Sequence, residues 1–131
     1  MVIDTSAVVA CLLNEPERAA FVEIIGSEAV NLISVVGLVE ASLVILGRRG
    51  IVGLTDLRDF LDSGGIQRVP VDERQAEAAV DAFRRFGKGR HPAKLNIGDC
   101  FAYALAKTTG EPLLFKGSDF TQTDIVPALA G

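Results

Sequence analysis

Short apolar runs separated by longer amphipathic stretches set the pattern of this chain. Val2-Ile3, Leu32-Ile33, Ile66 to Val69 and Leu113 to Phe115 are brief and rich in branched residues, so they read as strands, with Pro70 closing the third. Between them, Ala7 to Leu13 and Glu15 to Ile25 predict helices, with Asn14 and Pro16 marking a break and a restart. Val35 to Arg48 and Leu54 to Leu61 predict two more. Asp72 is placed to cap a helix running to Phe86, and Asn96 one running to Lys107 that Gly110 stops. Ile125-Val126 is expected to add an edge strand. Strands alternating with helices predict an α/β sandwich around a mainly parallel central sheet, in which ligands gather at the carboxyl ends of the strands. No linker, repeat or low-complexity segment interrupts the pattern, so residues 1–131 are expected to form one domain.

Composition narrows the class. With 49% hydrophobic and 23% charged residues, the 131-residue chain matches a folded globular protein, large enough to bury roughly two thirds of its unfolded surface. The apolar stretch from Leu32 to Leu46 falls short of the roughly 20 residues of a membrane span and holds Glu40. No basic segment followed by an apolar run opens the chain, and a cytoplasmic location is expected. Cys11 and Cys100 lie in apolar helical stretches without metal-type spacing, which predicts reduced core thiols and excludes a dedicated zinc site.

The formal net charge of -4 argues against a surface that coats nucleic acid. Charge is unevenly spread, however. From Ala82 to Gly98 there is no acid, while Arg84, Arg85, Lys88, Arg90, Lys94 and the single histidine, His91, all fall there. Gly87, Gly89 and Pro92 predict a flexible loop in the middle of this patch. It reads either as a solvated loop or as an electrostatic guide for a phosphate backbone.

The candidate chemistry lies in Asp4, Glu40, Asp99 and Asp119, each set against apolar sequence. Each also has a plainer reading. Asp4 is a possible cap for the Ala7 helix, a role open to Ser6 as well. Asp99 is the fourth member of a capping box opened by Asn96, although Asp is shorter than Glu and expected to reach back less well. Asp119 fits a turn after Gly117, and Glu40 fits an exposed helical position, against which stand its apolar helical neighbours Val36, Val39, Leu43 and Val44. One divalent-cation site accounts for all four at once, and carboxylates without His or Cys suit Mg²⁺ or Mn²⁺. Without a cation, carboxylates about 4 Å apart repel by roughly 4 kcal/mol per pair, so at least one is expected to titrate high.

Together, Asp4-Thr5-Ser6-Ala7, the helix-borne Glu40, the stretch Leu95-Asn96-Ile97-Gly98-Asp99-Cys100-Phe101-Ala102-Tyr103-Ala104-Leu105-Ala106 and Gly117-Ser118-Asp119-Phe120 resemble PIN-domain ribonucleases. The likeness is nearest to the VapC-type toxins of bacterial toxin-antitoxin modules. It covers essentially the whole chain, with one departure: Ser118 stands where the family often has Asn. The resemblance implies a PIN-like three-layer sandwich and a Mg²⁺- or Mn²⁺-dependent endoribonuclease that cuts tRNA, rRNA or mRNA. It implies Asp4, Glu40, Asp99 and Asp119 as metal-binding catalytic acids, and Thr5, Ser6 and Asp124 as outer groups around them. It gives Arg84, Arg85, Lys88, Arg90 and Lys94 the RNA backbone. It further implies a VapB-type antitoxin partner, received on a long apolar helical surface, and a homodimer. The alternatives are a non-catalytic RNA- or protein-binding module of the same fold, or a Mg²⁺-dependent phosphotransfer domain. The second would need another acid beside Asp4, and Thr5-Ser6 supplies none.

Overall fold

The computed structural model describes residues 1–129. In chain order the elements are β1 (Val2–Ile3), α1 (Thr5–Leu12), α2 (Arg18–Ser27), β2 (Asn31–Ser34), α3 (Val35–Ser63), β3 (Ile66–Val69), α4 (Glu73–Phe86), α5 (Ile97–Thr109) and β4 (Leu113–Leu114). The strands form one parallel sheet in the order β3-β2-β1-β4, with Val2 opposite both Leu32 and Leu113.

Strand alternation divides the core. Successive side chains point to opposite faces, so Val2, Leu32 and Leu113 face α4 and α5, where they meet Ala79, Ala82, Phe86, Cys100, Tyr103 and Leu105. Ile3, Ile33, Ile66 and Leu114 face the other way, onto Ala7, Val8, Cys11, Phe21, Ala41, Leu57 and Leu61 of α1, α2 and α3. The result is the expected three-layer sandwich. Both cysteines are buried free thiols, whose burial pushes their pKa up to about 11. Among the described residues no helix is long and apolar enough to cross a membrane.

Four boundaries differ from the sequence reading. Helix α1 begins at Thr5, because Asp4 is itself the cap, accepting from the Ser6 amide. Helix α2 begins at Arg18 rather than Glu15; Asn14 takes a left-handed turn (φ 54°) that wraps Glu15 back onto the Ala10 carbonyl. The two helices expected after Ser34 are the arms of α3, broken at Gly50, whose φ of 69° and ψ of -161° suit glycine alone. Ile125-Val126 forms no full strand: a single parallel bridge joins Leu113 to Pro127, and proline lacks the N–H that would extend the ladder.

The strand order reverses direction at β1, with β2 on one side and β4 on the other. The crevice of a parallel sheet opens at such a point, above the carboxyl ends of the strands. Asp4 follows β1 directly, and Asp119 lies a few residues beyond β4.

Candidate metal centre

Asp4 is the buried member of the acid group, at 6% exposure. Its Oδ2 accepts from both the Ser6 amide (3.0 Å) and the Ser6 hydroxyl (2.6 Å). That hydroxyl in turn accepts from the Lys116 amide at 2.9 Å, just past β4. With its acceptor side taken, the Ser6 proton is committed to Asp4. Burial pushes the Asp4 carboxyl above its ordinary range, the Ser6 hydrogen bonds oppose the rise, and Glu40 adds to it.

Glu40 comes from the second turn of α3. Thr5 Oγ1 lies 3.3 Å from its Oε1 and 3.1 Å from the Gly37 carbonyl, so one hydroxyl ties the start of α1 to α3. Burial and the charge of Asp99 raise the Glu40 carboxyl, against the Thr5 hydrogen bond. The apolar flank invoked from the sequence is not what shelters it. Val39, Leu43 and Val44 are exposed, with Leu43 at 63%, and Glu40 turns instead toward Thr5 and the first turn of α5.

Asp99 forms the capping box with Asn96 in full. The Asp99 amide donates to Asn96 Oδ1 at 2.9 Å, and the Asn96 amide donates to Asp99 Oδ2 at 3.0 Å, so the shorter acid does reach back. Capping occupies Oδ2 and leaves Oδ1 for other work. Burial raises the carboxyl to about 6, with the Asn96 amide opposing and the charges of Asp4 and Asp119 adding to the rise. Asp119 is exposed, in a turn closed by the Thr121 amide and hydroxyl on the Ser118 carbonyl.

The acids therefore feel one another around a rim: Glu40 acts on Asp4, Asp99 on Glu40, and Asp4 with Asp119 on Asp99. Among the described residues no three of them enclose a ready-made cage. Mg²⁺ and Mn²⁺ keep several waters and take only one or two carboxylates directly, so holding either ion would not require such a cage. Burial is the main reason three of the four acids hold their protons above the ordinary carboxylate range, and their mutual repulsion adds to it. The oxygen-only donor set fits the same ions.

Some of the other expected site residues have partners of their own. Asp124, expected as an outer acid, accepts from the Tyr103 hydroxyl at 2.6 Å and from Lys107 at 3.0 Å, with Arg85 at 3.6 Å. Its partners are on α4 and α5, and these pairings hold its carboxyl below the ordinary range. Arg84 and Arg85, expected to grip RNA, pair with Asp81, and Arg85 also lies 4.7 Å over the Phe86 ring. Lys88, Arg90 and Lys94 are exposed and form no ion pair among the described residues. The loop expected to be flexible is tied by hydrogen bonds: the Lys88 amide donates to the Leu95 carbonyl, the Leu95 amide to the Phe86 carbonyl, and the Ala93 amide to His91 Nδ1. Gly98 escaped the sequence reading, though a glycine in the first turn of a capped helix, directly before an acid, was the signal for it.

Residues 1–126 match the PIN domain family. The chain is 48% identical over 125 residues, 95% of each chain, to ribonuclease VapC30 of Mycobacterium tuberculosis. It is 47% identical to ribonuclease VapC of Mycolicibacterium smegmatis, covering 95% of this chain and 97% of that one. In structure it is similar to VapC20 of Mycobacterium tuberculosis, a sarcin-ricin loop cleaving toxin, with a TM-score of 0.78, 16% identity and 95% of both chains covered. An acid rim at the switch point of a β3-β2-β1-β4 sheet, with matches over nearly the full length, places this chain in the PIN domain family.

Proposed function

We propose that this protein is a Mg²⁺- or Mn²⁺-dependent endoribonuclease toxin that cuts tRNA, rRNA or mRNA in the cytoplasm, arrests translation and is neutralised by a VapB-type antitoxin. The carrying observation is the set of mutually coupled carboxylates at the strand-end rim, on a chain nearly half identical to proteins named ribonuclease VapC. Asp4, Glu40, Asp99 and Asp119 would hold the ion. When bound, it supplies an activated water and neutralises charge on the leaving oxygen.

The chain's own groups do the positioning. Ser6 fixes Asp4 and keeps it an acceptor, while Thr5 fixes Glu40. The Asn96 box fixes Asp99 on the end of α5. Lys88, Arg90 and Lys94 sit on the loop that leads into that helix end, free to meet phosphates. Arg84 and Arg85 are better read as ion-pair partners of Asp81 and Asp124. Val39 and Leu43 on the first arm of α3, and Ile51 and Val52 at the start of the second, are exposed apolar residues that suit an amphipathic antitoxin segment or a second copy of the chain in a homodimer.

The test is cleavage of a panel of transfer, ribosomal and messenger RNAs with Mn²⁺, Mg²⁺ or EDTA, beside Asp99→Asn. Discrete products that need the metal and fall about 100-fold or more in the variant support the reading. Intact RNA throughout, from folded protein, overturns it.

A further inference from the structure

Gly98 is the second residue of α5, where alanine forms helix better and no left-handed backbone calls for glycine. What the position lacks is room. A Cβ there would lie 2.0 Å from Glu40 Oε2, 2.1 Å from Oε1 and 2.3 Å from Cδ. The Glu40 carboxylate thus occupies the volume a side chain at 98 would fill. Gly37 offers a contrast, since a Cβ there would meet Thr5 and Ile33 at an ordinary 3.4 Å. At Gly64 the neighbours are aliphatic carbons of Ile25 and Ile66, a matter of core packing.

We propose that Gly98 is a positioning residue for the acid site: by having no side chain, it lets Glu40 lie directly on the helical turn that carries Asp99. Two anchors make the fit a defined one. Thr5 Oγ1 donates to Glu40 Oε1 at 3.3 Å. The turn itself is fixed by the Asn96–Asp99 box and by the buried Cys100 and Ala102 behind it. If a methyl group is placed at 98, the backbone is therefore the stiffer party and the carboxylate moves. Asp99 and Glu40 would hold an ion together less well with the carboxylate displaced by about 1 Å, and supporting-group changes of this kind weaken metal binding about 10- to 100-fold.

The inference rests on the reading of the acids as a metal centre, and the experiment keeps the two apart. Mn²⁺ binding is titrated by calorimetry for the parent, Gly98→Ala, Glu40→Ala and the double variant, with thermal melting and RNA cleavage measured on each. The expected Gly98→Ala protein melts at or near the parent temperature, binds Mn²⁺ about tenfold or more weakly, and loses kcat with KM for RNA unchanged. Glu40→Ala loses a similar factor, and adding Gly98→Ala to it costs nothing further. Parent-like Mn²⁺ binding by Gly98→Ala, or losses that multiply in the double variant, overturns the role of Gly98 alone. Failure of the parent itself to bind Mn²⁺ overturns the metal centre and this inference with it. If Gly98→Ala does not fold, removal of the obstructing carboxylate in the double variant restores folding on this account; a double variant that stays unfolded overturns it.

Discussion

Asp99→Asn separates what the acid site costs from what it does. In the metal-free protein the Asp99 carboxyl is raised from 3.8 to about 6, chiefly by burial, with Asp4 and Asp119 adding to it. A raised acid resists ionisation in the folded state, so its contribution to stability is full below the ordinary carboxylate range and is lost as pH climbs through about 6. A shift of that size has a ceiling of about 3 kcal/mol, and solvent screening of a partly exposed group lowers the expected figure to about 1–2 kcal/mol. Asparagine keeps an acceptor for the Asn96 amide, so the capping box largely survives. The assay is urea unfolding in EDTA at about pH 4 and about pH 7.5. These two conditions straddle the isoelectric point near 4.9, where solubility is lowest. Asp99→Asn is expected to be about 1–2 kcal/mol more stable than the parent at the higher pH and within about 0.5 kcal/mol of it at the lower. Added Mg²⁺ is expected to narrow the gap if it binds the folded parent as proposed. A variant less stable than the parent at about pH 7.5 in EDTA, or a gap equal at both pH values, refutes the reasoning.

Ser6→Ala removes the hydroxyl between Asp4 and the Lys116 amide. It is expected to cost about 1–2 kcal/mol in unfolding experiments and to shift the acidic limb of the activity profile to higher pH, because a hydrogen bond that lowers the Asp4 pKa is gone. Tyr103→Phe leaves Asp124 without its 2.6 Å hydrogen bond; a stability loss of about 1 kcal/mol with kcat unchanged is expected, and a large fall in kcat would return Asp124 to the acid site. Lys88→Ala, Arg90→Ala and Lys94→Ala are each expected to lower the salt slope of RNA binding by about 1, whereas Arg84→Ala, already paired with Asp81, leaves it nearly unchanged.

The sheet and its flanking helices were legible because two-residue alternation and helix punctuation act locally: Val2-Ile3, Asp72, Asn96 and Gly110 each do what their residue type favours. The break at Gly50 was half legible. Sequence separates the two arms of α3, but the angles that let helix resume at once are a backbone matter. Asp4, Glu40 and Asp99 stood out as charges in apolar surroundings, yet the shelter of Glu40 comes from Thr5 and Gly98, remote in sequence. The fates of Arg85 and Asp124 were hidden for the same reason, since their pairing depends on how α4 and α5 pack. A dense basic stretch shows its charge in sequence but not which of its cations are already taken.

The Ser6 hydroxyl meets the Lys116 amide across 110 positions of chain. Contacts of that span close late, after the intervening segments have been made and collapsed. The acid rim is therefore an end-of-synthesis structure: until Leu113 and Leu114 pair with Val2 and Ile3, Asp119 has no fixed place and the hydroxyl beside Asp4 lacks its second partner. A nascent or truncated chain that ends before β4 carries three of the four acids but leaves the β1 edge beside Asp4 unpaired. The proposed nuclease is thereby expected to need its β4 segment, and a product clipped before Leu113 is expected to cleave no RNA.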